Sequence, residues 1–334
     1  MRDPEATDTL SDVLRTVRLT GALLFMMDVS APWEAEVPDG ATLASSTLPG
    51  AQHVISYHVV TSGTCWGGLV DQPPVRLHAG DVLVLPRGDG YFISTAPDMR
   101  RRTDLTAELA FLRDMAAGRL PFVVKDGGGG RDGVNLVCGF LGCDLRPFNP
   151  LLATLPRLLH VRGVGGPGDP AGRLVELALA EARERRAGGE CIRLRLSELM
   201  FVEVVRGYLA SLSAEQTGWL AGLRDPTVAR ALAILHEEAN RPWTLEELAG
   251  RVGASRSALA DRFTHFVGLP PMQYLTQWRM QLAARLLADG AAKVAAVGRD
   301  VGYDSEAAFS RAFKKITGDP PARWRALRAA RPRG

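Results

Sequence analysis

The feature that most constrains this 334-residue chain is an internal repeat in its last third. Leu248, Val252 and Gly253 recur 49 residues later as Val297, Val301 and Gly302. At a spacing of 50, Leu259, Phe263, Gly268, Pro270, Pro271 and Tyr274 recur as Phe309, Phe313, Gly318, Pro320, Pro321 and Trp324. Apolar residues three and four apart, closed by glycine or proline, describe short helices that must pair to bury their faces. A unit of this kind written twice predicts a helical domain built from two similar halves.

Each copy has the pattern of a helix, a short turn and a second helix. In the first, Thr244 and Glu247 form a capping box that opens a helix. Leu245, Leu248, Ala249 and Val252 share one side of it, and Gly253 supplies the positive φ of a C-terminal cap. Ser255 caps the next helix, whose Leu259, Phe263 and Phe266 face inward. Ala249, and Gly298 in the second copy, are small enough for two helices to cross closely. This arrangement lays a recognition helix in the DNA major groove, although a plain helical hairpin is the alternative for either copy alone. Charge separates the two. From Arg224 onward there are 18 Lys and Arg against 11 Asp and Glu, whereas the preceding residues hold 22 against 26. A basic third on a mildly acidic body points to a nucleic-acid-binding module joined to a sensing or catalytic one.

Residues 225–327 resemble the DNA-binding domain of the AraC/XylS family of transcription regulators. The core Gly-Tyr-x-Ser-x-x-x-Phe-x-Arg-x-Phe-Lys, from Gly302 to Lys314, carries the resemblance, together with RPWTLEELAGRVGASRSALADRF and PPMQYLTQWRMQLAARLL. It implies two helix-turn-helix units joined by a long helix near residues 271–289. Gly298 departs from the family's usual alanine, and Ala258, Ala260 and Ala307 leave the recognition faces bare. With Leu259 and Phe263 inward, Arg256, Ser257, Ala260 and Asp261 point outward. With Phe309, Phe313 and Ile316 inward, Glu306, Ala307, Ser310 and Arg311 do so, and both sets align with base-contacting positions of the family. Arg311 is expected to read a guanine edge with its fork of donors. Lys314, Lys315 and Arg256 are expected on phosphates. Asp261 is open between accepting from cytosine and an intradomain salt bridge, and Glu306 between DNA and its helix dipole.

Residues 10–125 alternate short apolar runs with turn signals, as Val82 to Leu85 before Pro86-Arg87-Gly88 shows. That spacing predicts a β-sandwich or barrel. A helix is expected over 104–118, another strand over 134–143, and helices over 173–186 and 193–211. The last would hold Leu196, Leu199, Met200, Val204 and Leu209 on one face. His58 to Gly63 and Leu77 to Gly88 resemble the cupin-like sensing domain of ligand-responsive members of the family, and the segment from Asp144 to Pro156 resembles the stretch leaving its barrel. Cupin enzymes hold a metal on clustered histidines, for which His53, His58 and His78 are candidates, but Tyr91 stands where relatives often place a histidine. In a strand, Cys138 and Cys143 point to opposite faces. A thiol or metal sensor including Cys65 competes with the reading of all three as small core residues, and Cys191 carries no signal.

The expected fold is therefore α+β multidomain: an N-terminal cupin-like β-barrel over 1–160, a helical linker or dimerisation region over 161–222, and a C-terminal all-α domain with two helix-turn-helix motifs over 223–334. The expected function is a sequence-specific DNA-binding transcription regulator whose N-terminal domain senses an effector. The alternative is a metal-dependent cupin enzyme fused to a DNA-binding domain. No Ser/His/Asp, phosphate-loop or paired-carboxylate constellation supports catalysis. Effector contacts are assigned to His58, Cys65, His78, Tyr91 and Cys138, near the mouth of a barrel. No cofactor is expected, with a metal ion in the cupin-like domain left open. Expected partners are double-stranded promoter DNA, a small-molecule, metal or redox effector, a second copy of the chain, and RNA polymerase. With four cysteines and no recognisable export signal, a reducing cytoplasm is the expected compartment, and no apolar run is long enough for a membrane span.

Overall fold

A computed structural model of the chain describes residues 8–16, 19–48, 50–98, 104–143, 149, 152, 155–166, 168–184, 186–213, 216–290 and 292–329. They group into two compact units: the described residues of 19–144 and 155–211 in one, and those of 1–18, 145–154 and 212–333 in the other. The division differs from the expected three segments. The stretch over 161–211 belongs with the sheets, and the first helix belongs with the C-terminal unit. That helix, α1 (Thr9–Thr16), spaces Val13 and its apolar neighbours helically, and Thr9 and Val13 are buried in the helical unit.

The sheet unit runs β1 (Leu19–Ser30), β2 (Glu34–Val37), α2 (Gly40–Ser46), β3 (His53–Ser62), β4 (Thr64–Leu69), β5 (Val75–His78), β6 (Val82–Leu85), β7 (Tyr91–Ser94), α3 (Leu105–Ala116), β8 (Val123–Gly127), β9 (Gly133–Cys143), β10 (Leu159–Val161), α4 (Pro170–Glu184) and α5 (Gly189–Ser211). A six-stranded sheet orders them β10-β6-β3-β9-β1-β8, and a four-stranded sheet orders them β2-β7-β4-β5. Among the described residues only β8 pairs in parallel, with β1. Among the described residues the two sheets are hydrogen-bonded separately, so the expected closed barrel is instead a pair of sheets sharing one core. Period-two alternation directs Phe25, Met27, Val60, Leu136 and Phe140 of one sheet, and Leu69, Leu77 and Ile93 of the other, into that core.

The central strands β3 and β9 are buried on both faces, which explains why they read as nearly unbroken apolar runs. Helix α5 packs on the other face of the larger sheet, where the Tyr57 hydroxyl and the Ser197 hydroxyl lie 2.6 Å apart. Its buried side is Leu196, Met200, Phe201, Val204 and Val205. Leu199, assigned to that face from the sequence, is exposed, and Leu209 is half-buried. At 3.6 residues per turn both positions fall outside the arc that the five buried residues occupy. Residues 144–148, 150, 151, 153 and 154 lie outside the described residues, and so does most of the segment expected to leave the barrel.

The helical unit continues with α6 (Trp219–Gly222), α7 (Pro226–Glu237), α8 (Leu245–Val252), α9 (Arg256–Val267), α10 (Pro271–Asp289), α11 (Val294–Asp300), α12 (Glu306–Thr317) and α13 (Pro321–Ala329). Thr244 and Glu247 form the expected capping box, and Gly253 takes φ 72° at the turn into α9. Gly302 takes φ 84° at the turn into α12. Ser255 and Ser305 each accept from the backbone N–H three residues on, both at 3.2 Å. The repeat extends to aromatic packing. Phe263 meets Tyr274 edge-on at 5.6 Å, and Phe313 meets Trp324 edge-on at 5.8 Å. Gly298 has a steric explanation: a Cβ there would sit 3.1 Å from the Phe309 ring. At the equivalent positions the first half has Ala249 and the smaller Leu259, so the change to glycine accompanies the change to phenylalanine.

Candidate nucleic-acid interface and buried polar cluster

Helices α9 and α12 bury one side and present the other. Leu259 and Phe263 on α9, and Phe309 and Phe313 on α12, are fully buried. Helical geometry then directs the intervening residues outward. Arg256, Ser257, Asp261, Glu306, Ala307, Arg311, Lys314 and Lys315 are exposed, and Ala260 and Ser310 are half-buried. Among the described residues no ion pair engages Arg256, Asp261, Glu306, Arg311, Lys314 or Lys315, so the intradomain salt bridge considered for Asp261 is not formed. Their charges are therefore presented to solvent, four of the six positive. Glu306 lies in the first turn of α12, where the helix dipole favours a carboxylate.

One basic residue of α9 is already engaged. Arg262 donates from Nε to Asp225 Oδ2 at 2.7 Å. The same carboxylate caps α7 by accepting from Thr227 and Val228 backbone N–H groups. These bonds hold the Asp225 carboxyl below the usual range despite its burial. Asp225 thus ties α7 to α9, a link across 37 residues that no local pattern announces.

In the sheet unit, four of the five residues assigned to an effector come together. His58, Cys65, Tyr91 and Cys138 are buried. His58 Nε2 and the Tyr91 hydroxyl are 2.5 Å apart, and Phe140 meets the imidazole edge-on. Cys138 lies opposite His58 in the β3–β9 register, and its thiol is coupled electrostatically to that of Cys65. Ser56 bonds to Tyr91 as well. His58 Nδ1 is buried without a hydrogen-bond partner. Burial lowers the His58 pKa to about 3, so the ring is neutral, and it raises the Cys65 thiol to about 12 and the Cys138 thiol further. Both are thiols, not thiolates, at neutral pH.

His78 does not join this cluster. The alternation that buries Leu77 turns His78 out to solvent, where its ring lies 3.5 Å from the Thr64 hydroxyl. His53 is elsewhere too, with Nε2 2.7 Å from the Pro86 carbonyl. The three candidate metal-binding histidines therefore do not converge. Among the described residues no three His, Cys, Asp or Glu side chains are placed to hold a metal ion. Cys138 and Cys143 do face opposite sides of β9: Cys138 enters the shared core, whereas Cys143 is buried outside it.

Residues 8–210 match the cupin family, and residues 248–327 match a helix-turn-helix domain. A putative AraC-like transcription regulator of Streptomyces lividans is 33% identical over 95% of this chain and 98% of its own length. The chain belongs to the AraC-like transcription regulators. As a member of that family it is a DNA-binding regulator, with the helix-turn-helix domain C-terminal and the cupin domain N-terminal. The transcriptional regulator AlkR of Acinetobacter baylyi is 28% identical over 82% of this chain and 89% of its own length. Among solved structures, the DNA-binding domain of AdpA in complex with a target DNA is 34% identical, with a TM-score of 0.31, covering 33% of this chain and 98% of that one. No helix of the described residues is long and apolar enough to cross a membrane.

Proposed function

We propose that this regulator binds promoter DNA through two helix-turn-helix motifs, with α9 and α12 as reading helices in successive major grooves. The observation that carries this reading is the structural equivalence of the two halves. Both have a glycine turn, a serine cap, buried apolar anchors at equivalent positions, and outward charges that, apart from Arg262, form no ion pair among the described residues. Two reading helices on one rigid module suit grooves about 34 Å apart on one side of the duplex. Selection of bound duplexes from a random pool tests it. Two conserved boxes about ten base pairs apart are expected, and one short box would contradict the reading.

The effector reading rests on His58. A buried imidazole nitrogen without a partner costs about 1–3 kcal/mol, and a ligand that bonds Nδ1 would recover that cost. Tyr91 orients the ring, and the two thiols and Phe140 provide an apolar wall suited to a small organic molecule with one polar group. Operator binding by a His58→Ala, Cys65→Ser double variant should lose its response to effector and keep its basal affinity. Normal induction in that variant would place the effector elsewhere. The protein is further proposed to act as a homodimer in the cytoplasm. The buried side of α5 is committed to its own sheet, so a partner would meet its outer residues Ile192 and Leu199.

A further inference from the structure

Arg279 lies midway along α10, the helix that both halves of the DNA-binding unit share, and it faces neither reading surface. Its Nε–H donates to the Ala239 carbonyl at 2.6 Å, and Nη2 donates to the Arg241 carbonyl at 2.7 Å. Nη1 reaches the Gly302 carbonyl at 3.4 Å. Ala239 and Arg241 flank Asn240 in the loop between α7 and α8, which belongs to the first half. Gly302 is the turn between α11 and α12, which belongs to the second. One guanidinium therefore grips the backbone of both halves.

The two backbones also touch at this point. A Cβ on Gly302 would strike the Asn240 carbonyl, so the second turn lies directly against the first loop. Each half has its own aromatic core apart from Arg279. His236 stacks on Trp278 and reaches the Tyr274 hydroxyl in the first, and Phe309, Phe313 and Trp324 form the second. Cohesion within a half thus rests on those rings, while the planar fork of Arg279 sets one half against the other. The fork suits this task because its donors are rigidly spaced, unlike those of a lysine.

We propose that Arg279 is a positioning residue that fixes the spacing and angle between α9 and α12 on DNA. The proposal rests on the two-groove reading above. A tilt of about 10° over a groove spacing of about 34 Å moves the far helix by about 6 Å, beyond hydrogen-bond reach of base edges.

The test uses the full chain and DNA selected by the wild-type protein. Binding is measured on the two-box duplex, on duplexes with one base pair inserted or removed between the boxes, and on duplexes with either box scrambled. Arg279→Met should weaken two-box binding about tenfold, change single-box binding less than about twofold, and flatten the spacing preference. Arg279→Lys, which keeps charge and stem, should fall between at a wild-type melting temperature. Variants that retain the wild-type spacing preference, or lose single-box and two-box binding in equal proportion, would overturn the positioning role. A wild type indifferent to spacing would sink the two-groove reading, and this inference with it.

Discussion

Arg311 and Lys314 expose their charges three residues apart on α12, yet their loss should read differently. Arg311→Ala should cost about 1–3 kcal/mol on the selected site and relax preference at one base position. Lys314→Ala should weaken selected and random DNA alike and reduce the salt slope by about one counterion. Equal losses on both DNAs for both variants would reverse the assignment of Arg311. His58 makes a separate prediction, in acid. Unfolded, its ring takes up a proton near 6.5, whereas in the folded core it resists until about 3. The unfolded state then binds more protons across that window, so stability falls as pH drops from about 6.5 toward 3. His58→Phe should remove this part of the acid slope in urea titrations of the full chain. An unchanged slope would show that other groups account for it.

At the scale of elements, α3 carries an acid whose titration should be visible near neutral pH. Its N-cap Asp104 and buried Leu112 and Met115 set it against the shared core. Glu108 on this helix faces Glu36 of β2 and Asp126 of β8, with Tyr91 of β7 also near. Burial first, then the two carboxylates, raise Glu108 to about 7 from an ordinary 4.5. Its contribution to stability is therefore full below pH 4.5 and lost as pH rises through about 7. Glu108→Gln should melt above the wild type at pH 8 and match it near pH 4. A constant difference between the two across that range would contradict the assignment. The existence and type of α3 were legible in its sequence, since cap and periodicity are local. The acids facing it were not, because they arrive from strands distant in the chain.

For the whole molecule, footprinting should show two protected patches about ten base pairs apart per protomer. Sedimentation should report a dimer that Leu199→Glu converts to monomer, because a charge on an apolar contact is costly to bury. A dimer unaffected by Leu199→Glu would place the interface away from the outer face of α5. The grouping of the chain into units is a property of this scale too. Helices α4 and α5 are amphipathic in sequence, but amphipathicity states only that a face needs cover. The cover of α5 is the larger sheet and that of α4 is α5, and both therefore group with the sheet unit.

Features that depend on neighbours a few residues apart were legible before any contact was known. The doubled helical pairs, their caps and turns, the outward residues of α9 and α12, and the opposed faces of Cys138 and Cys143 all follow from helical or strand period. Folding added what depends on contacts distant in the chain. It separated His78 from His58 by the parity of β5, left two sheets where a closed barrel was expected, and joined α1 to the helical unit. It also brought Asp225 to Arg262 and Ala239, Arg241 and Gly302 to Arg279. Periodicity specifies which face of an element is buried, but not which distant surface buries it, because apolar contact is non-directional and many surfaces satisfy it equally.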